Sequence, residues 1–362
     1  MFGDFFKDKA VLITGHTGFK GSWLALWLRE LGADVTGLAL PPPTSPAHFE
    51  LVRMRELINH IEGDIRDSNV VGKAFARSKP EIVFHLAARA VVSDSYAEPK
   101  TTFDINIGGT VNILEAMRRC PSVKAAVFIT SDKCYENKEC ERGYREDDPL
   151  GGHDPYSASK GAAEIVCAAY RRSYFAESGS GPYLGFATAR AGNVIGGGDW
   201  AKDRIIPDCI RALANGQPVV LRNPQAVRAW QHVLDLLSGY LLLAKLLSGD
   251  GERYSGAWNF GPPEDGQIPV INLVEKVLAS WGGGSLANMA AREGAFHEAN
   301  MLKLCTDKAR RELNWRPFLG NSAAIKWAVD WYKAWYLQEA DLRDVSLRQI
   351  REFSRIAGQE GF

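Results

Sequence analysis

The sequence predicts a doubly wound α/β fold, a parallel sheet between two helical layers, with a smaller C-terminal α/β lobe that would bind substrate. Three observations predict it. Apolar runs of strand length alternate with helical patterns up to residue 190, as a parallel sheet covered on both faces requires. A glycine loop, Gly15–Gly21, stands between the first run and the first helix. Beyond residue 190 the alternation breaks up. Strand, glycine loop and helix in that order make a Rossmann-type unit, whose backbone N–H groups and helix N-terminus face a pyrophosphate.

The elements follow in order. Ala10–Thr14 is a short apolar run, and the helix from Ser22 to Leu31 is ended by Gly32. Asp34–Leu40 is the second strand. It ends in Leu-Ala-Leu-Pro-Pro-Pro, without the acid that would meet an adenosine ribose or an arginine for a 2′-phosphate, so this position does not decide between NAD and NADP. Runs at 58–61, 81–86, 124–130 and 183–190 supply the remaining strands. Asp64 and Ile65 after the third, and Leu86, Ala87 and Ala88 at the end of the fourth, are expected near the dinucleotide. His85 is expected to be a packed strand residue. Arg204–Asn215, Val233–Leu247, Ile271–Trp281 and Ser322–Trp335 read as helices and Trp258–Phe260 as a short strand. Trp327, Trp331 and Trp335 recur at i+4 and predict a buried stripe.

Composition excludes several classes. The 43 basic and 43 acidic residues cancel, so neither a nucleic-acid nor a membrane surface is expected and any anion site must be local. The longest apolar stretch, Leu236–Leu247, is far short of a membrane span. The six cysteines have no metal-ligand spacing and read as the reduced thiols of a cytoplasmic protein, with Cys134 packed rather than reactive; no metal is expected.

Two segments carry the chemistry. Tyr156 and Lys160 lie one helical turn apart, behind an Asp154-Pro155 pair suited to an N-cap and first turn. A phenol beside an ammonium is a general base, because the cation favours the phenolate. The second possible pair of this spacing, Tyr96 and Lys100, contains Pro99 and reads as loop or helix entry. Ser131, Asp132 and Lys133 end the fifth strand. A serine there can hold a substrate oxygen, whereas the adjacent carboxylate and amine are more than a simple dehydrogenase needs.

The assembled pattern resembles the extended short-chain dehydrogenase/reductase family along essentially the whole chain. The family's T-G-x-x-G-F-x-G loop is matched by Thr14–Gly21 and its Y-x-x-x-K pair by Tyr156 and Lys160. Thr130–Lys138, Gly143–Asp148, Arg190–Trp200 and Trp230–Val233 narrow the resemblance to its nucleotide-sugar dehydratases, in the version acting on CDP-glucose. The resemblance implies NAD, kept and recycled, held by Gly15, His16, Thr17, Gly18, Phe19, Gly21, Tyr156 and Lys160. It implies Tyr156, Lys160 and Ser131 for oxidation at C4, with Asp132 as acid and Lys133 as C5 base for elimination. It implies Asn193, the main chain at Arg204, Ile205 and Ile206, and Arg228 or Arg222 as contacts to the nucleotide sugar. Cys140, Arg142, His153, Ala158 and Ala229 depart from the family's usual residues without removing a catalytic group.

The resemblance divides the chain into an NAD-binding domain, 1–190 with about 233–261, and a nucleotide-sugar-binding domain, about 191–232 with 262–362. It also implies a homodimer or higher homo-oligomer through the helices around Thr101–Arg118 and Tyr156–Arg172. A 4-epimerase would share the tyrosine and lysine but needs no Asp132-Lys133 pair, and a dinucleotide-binding sensor without turnover needs neither Tyr156 nor Lys160. His16 is expected to add bulk against the pyrophosphate and so to loosen NAD.

Overall fold

The computed structural model describes residues 2–176, 183–221, 223–262, 266–288, 302–338 and 340–359. Arg222 lies outside them. Seven parallel strands form the central sheet: β1 (Ala10–Thr14), β2 (Asp34–Ala39), β3 (Asn59–Glu62), β4 (Ile82–His85), β5 (Ala125–Ile129), β6 (Gly185–Ala191) and β10 (Gly256–Phe260). Their spatial order is β10-β6-β5-β4-β1-β2-β3, so the direction of winding reverses between β1 and β4. Ligands of such sheets bind at the carboxyl ends of the strands beside this reversal, because there the loops diverge and leave a crevice. Thr14 and His85 are register partners across it.

Strands buried on both faces need no polar alternation, and β4, β5 and β6 are buried at every position. One core lies on the face covered by helices Phe19–Glu30 and Val233–Gly249, with Trp23, Trp27, Leu234 and Leu241 fully buried. The other holds Val71, Phe75, Ile113 and Phe186.

After β6 the chain leaves the sheet and builds two small ones: β7 (Asn193–Ile195), β9 (Val227–His232) and β11 (Gln267–Pro269) in one, β8 (Val219–Leu221) with β12 (Leu286–Asn288) in the other. Several of these strands have three residues, too few for a period to show in the sequence. The helix Leu342–Gln359 returns to the first layer, where Arg351 pairs with Glu30 at 2.7 Å.

The tryptophan stripe needs correction. Trp331 is fully buried, but Trp327 and Trp335 are half-buried. Four residues advance a helix about 40° beyond a full turn, so a strict i+4 row drifts off the buried face. That face instead carries Ala324, Ile325, Ala328, Val329, Trp331 and Tyr332.

Candidate active site

The glycine loop leaves β1 at Gly15, whose φ of +76° is open to glycine without strain. A Cβ there would lie 2.6 Å from the backbone nitrogen of Ala87, so the loop meets the end of β4, where Leu86, Ala87 and Ala88 stand. Thr17 Oγ1 ties the loop to β2 by donating to the Leu40 carbonyl at 2.9 Å. Helix Phe19–Glu30 begins at Gly18 with no side-chain cap and no acid in its first turn. Its first N–H groups are therefore open to an anion, and a Cβ on Gly18 would meet little but the Gly15 carbonyl at 3.4 Å. These residues fit a dinucleotide pyrophosphate. Phe19 crosses to the other side, its ring 3.1 Å from where a Cβ on Gly196 would sit.

His16 is not where the sequence suggested. Its side chain is fully buried and packs over the Cα of Gly37 on β2, a position that only glycine leaves vacant. Its Nε2 lies 2.6 Å from Nδ1 of His60. Burial is the main reason its pKa falls to about 3, so the ring is neutral. The expected bulk against the pyrophosphate is absent, because the ring fills the sheet beneath the loop. His85 is a packed strand residue, as expected, 2.6 Å from Thr14 Oγ1 and within reach of Thr110. Asp64 is held by Arg66, whose guanidinium donates to it at 2.6 and 2.9 Å and lowers its pKa. Ile65 is a core residue against Gly109.

Tyr156 and Lys160 lie in the first half of helix Pro155–Tyr170. Asp154 caps it, accepting from the Ser157 amide at 2.9 Å, with Pro155 in the first turn. Both functional side chains are buried, and Lys160 Nζ donates to the Ile129 carbonyl at the end of β5 at 3.3 Å. Desolvation lowers the Lys160 pKa to about 8. Desolvation also pushes Tyr156 up to about 12, with the Ser131 hydrogen bond pulling down against it. The expected lowering by the lysine is not found in the protein alone: burial outweighs every nearby cation.

β5 ends in a single 3₁₀ turn, Asp132–Cys134, capped by Ser131. Ser131 Oγ donates to Asp132 Oδ1 at 2.9 Å and accepts from the Lys133 amide at 3.2 Å. Burial raises the Asp132 pKa, although Lys133 and Lys20 pull it down. Asp132 Oδ2 lies 3.1 Å from where a Cβ on Gly192 would stand, which sets Asn193, at the start of β7, beside the carboxylate. Arg204 pairs with Asp199 at 3.0 Å just before the uncapped N-terminus of helix Ile205–Ala214; Ile206 is buried in the core and Ile205 packs against it. Arg228 stands on β9 opposite Ile268 of β11, two residues from Trp230, the register partner of Asn193. Ser131, Asp132, Tyr156 and Lys160 thus converge, with Asn193 and Arg204 at the rim. A separate cavity of about 260 Å3, lined by Arg142, Lys303, Arg310 and Gln267, holds none of them.

Two features escaped the sequence. Lys20, within the glycine motif and on the first turn of helix Phe19–Glu30, reaches the same centre: burial lowers its pKa to about 7, and its charged neighbours are Arg204, Lys160, Asp132 and Asp199. Its place inside the glycine motif was the available signal. Below the centre, Glu164 accepts from Thr130, from Thr188 at 2.8 Å and from Arg190 at 2.8 Å. Arg190 also donates to the Tyr135 hydroxyl at 2.7 Å. Burial works against the Arg190 charge and the Glu164 carboxylate more than offsets it.

Residues 11–257 match the family model described as NAD dependent epimerase/dehydratase family. Over 351 residues the chain is 47% identical to a CDP-glucose 4,6-dehydratase of Salmonella typhimurium, covering 97% of both chains. It is 27% identical to a UDP-glucose 4-epimerase of Lacticaseibacillus casei, over 89% of this chain and 96% of that one. Among solved structures, UDP-glucose 4-epimerase of Thermus thermophilus in complex with NAD superposes with a TM-score of 0.74 at 26% identity, covering 89% of this chain and 98% of the other. The dTDP-glucose 4,6-dehydratase of Bacillus anthracis in complex with NAD shares the fold, with a TM-score of 0.73 at 20% identity over 89% and 96% of the two chains.

Proposed function

The chain belongs to the NAD-dependent epimerase/dehydratase family, and from that membership and its convergent side chains we infer that it converts CDP-glucose to CDP-4-keto-6-deoxyglucose and water, with NAD as recycled cofactor. The observation that carries the reading is the Asp132-Lys133 turn set against Tyr156 in a chain 47% identical to a CDP-glucose 4,6-dehydratase along nearly its whole length. A 4-epimerase needs no such pair.

The site residues would divide the work as follows. Tyr156, as phenolate, takes the proton from the sugar 4-hydroxyl while Ser131 orients that oxygen. NAD, held by the Gly15–Gly21 loop and the N-terminus of helix Phe19–Glu30, would supply hydride acceptance at C4 and hydride return at C6. A ketone at C4 makes the C5 proton acidic; Lys133 removes it, and Asp132 gives its own proton to the departing 6-hydroxyl. Desolvation raises the affinity of Asp132 for that proton, against the pull of Lys133. Asn193 and Arg204 would contact the sugar nucleotide, and Arg228 on β9 would bind the diphosphate. Residues 1–190 with about 233–261 would hold the dinucleotide, and about 191–232 with 262–362 the nucleotide sugar. The helices Thr110–Arg118 and Pro155–Tyr170, with Ile165 60% exposed, would pack against their copies in a homodimer.

Incubation with CDP-, dTDP-, UDP- and GDP-glucose tests the reading. A 4-keto-6-deoxy product is expected from CDP-glucose, with solvent deuterium at C5. Turnover of another nucleotide sugar and not of CDP-glucose would reject the substrate.

A further inference from the structure

Resting on the reading above, we propose that Trp23 and Tyr332 are positioning residues for the nucleotide sugar: they hold the turn 196–199, and through it they set Arg204, Ile205 and Ile206 against the substrate. Gly196, Gly197 and Gly198 stand in a row in that turn, and each leaves room for a different ring. A Cβ on Gly196 would lie 3.1 Å from the Phe19 ring, and one on Gly197 would lie 2.0 Å from the Trp331 ring. One on Gly198, where φ is +79°, would lie 2.8 Å from the His48 side chain. The turn is thus seated in a socket made by helix Phe19–Glu30, by His48 and by helix Asn321–Leu337.

Two hydrogen bonds fasten it there. Trp23 Nε1 donates to the Gly197 carbonyl at 2.9 Å, and the Tyr332 hydroxyl donates to the Asp199 carbonyl. Both bonds are buried, so a carbonyl that loses its donor has no water to replace it. The rings of the socket are themselves fixed. His48 stacks on Trp23 with 4.6 Å between ring centroids. The Ser346 hydroxyl gives its one proton to the Leu342 carbonyl at 2.7 Å and accepts from Trp331 Nε1 at 2.9 Å. His48 Nε2, 3.2 Å from the same oxygen, is therefore a donor, and its Nδ1 accepts from Ser22 at 2.7 Å. At the far end of the turn the Asp199 carboxylate accepts from the Ala201 amide at 3.2 Å and pairs with Arg204 at 3.0 Å. Helix Ile205–Ala214 starts at the next residue, so a shift of Asp199 passes directly to the segment that would meet the nucleotide sugar. Trp23 stands one turn beyond the start of the helix whose N-terminus fits the pyrophosphate, so that segment is placed in the frame of the cofactor.

Isothermal calorimetry and steady-state kinetics test the two roles. The probe is whichever of CDP, UDP, dTDP and GDP the wild type binds most tightly. Trp23→Phe and Tyr332→Phe each keep an aromatic ring and lose the donor. Each should weaken that nucleotide about 10-fold and leave the NAD dissociation constant within about twofold. KM for the nucleotide sugar should rise in step while kcat holds, because the lost contact serves ground and transition states alike. Trp27→Phe is the control. Trp27 lies one turn further along the same helix, packed against Phe2 and Phe353 rather than the turn, and its substitution should leave nucleotide affinity unchanged. Unchanged nucleotide affinity in both donor variants, a parallel loss of NAD affinity, or an equal loss in Trp27→Phe would overturn the positioning roles and leave the dehydratase reading intact. Tightest binding of a nucleotide other than CDP would overturn the substrate reading and leave the roles standing. A wild type that binds none of the four would overturn both.

Discussion

The two halves of the candidate catalytic centre are built differently. Tyr156 and Lys160 project from a long capped helix whose next turn carries Glu164, locked to Thr130, Thr188 and Arg190 in the interior. Asp132 and Lys133 sit on one 3₁₀ turn and are only half-buried, oriented through a single serine and balanced by the charge of Lys20. The first half is fixed by burial and an ionic lattice. The second is fixed by local hydrogen bonds and by charge. The difference fits the proposed chemistry: hydride transfer at C4 would demand position, whereas elimination would demand an acid and a base side by side.

The sharpest way to break the comparison is Tyr156→Phe, which should abolish C4 oxidation by about 10²–10⁴-fold while the fold persists; a stopped-flow trace of cofactor reduction measures it. Glu164→Ala comes next. Leaving Arg190 as an uncompensated buried charge should destabilise the protein by about 3–5 kcal/mol, read from denaturant unfolding; a loss under 1 kcal/mol would show that the lattice does not brace the helix.

Lys160→Met should act the other way on stability. Lysine normally titrates at 10.5, and the folded protein holds this one at about 8. A cation whose pKa is lowered on folding costs stability fully below the folded value, and the cost is relieved as pH rises from about 8 to 10.5. The substitution should therefore stabilise the inactive protein at pH 7, on the order of 3 kcal/mol, and progressively less above pH 8. Melting curves at neutral and alkaline pH check the sign.

The smallest effect separates charge from position in the second half. Lys20→Met removes a cation that pulls the Asp132 pKa down, so the pH limb of turnover that reports Asp132 should move up, with little change in melting temperature. An unmoved limb with lower turnover would place Lys20 on the substrate instead.

Much of this was legible in the sequence. The six strands to residue 191 and the helix of Tyr156 were readable because apolar runs, Gly15–Gly21 and Asp154-Pro155 are local signals with local causes. The candidate catalytic residue types were legible for the same reason, since Ser131–Lys133 and Tyr156–Lys160 are short spacings. The small sheets after residue 191 were not, because strands of three residues carry no period and pair with partners tens of residues away. Only the tertiary structure placed Lys20 beside Lys160 and Asp132 and turned His16 beneath its loop, against a glycine and a histidine from two other strands. By itself, then, the sequence determined which elements form and which chemistry they carry. The folded chain decided which charges meet and which lose their water, because desolvation and contact across the sheet are properties of three-dimensional packing that neighbours in sequence do not encode.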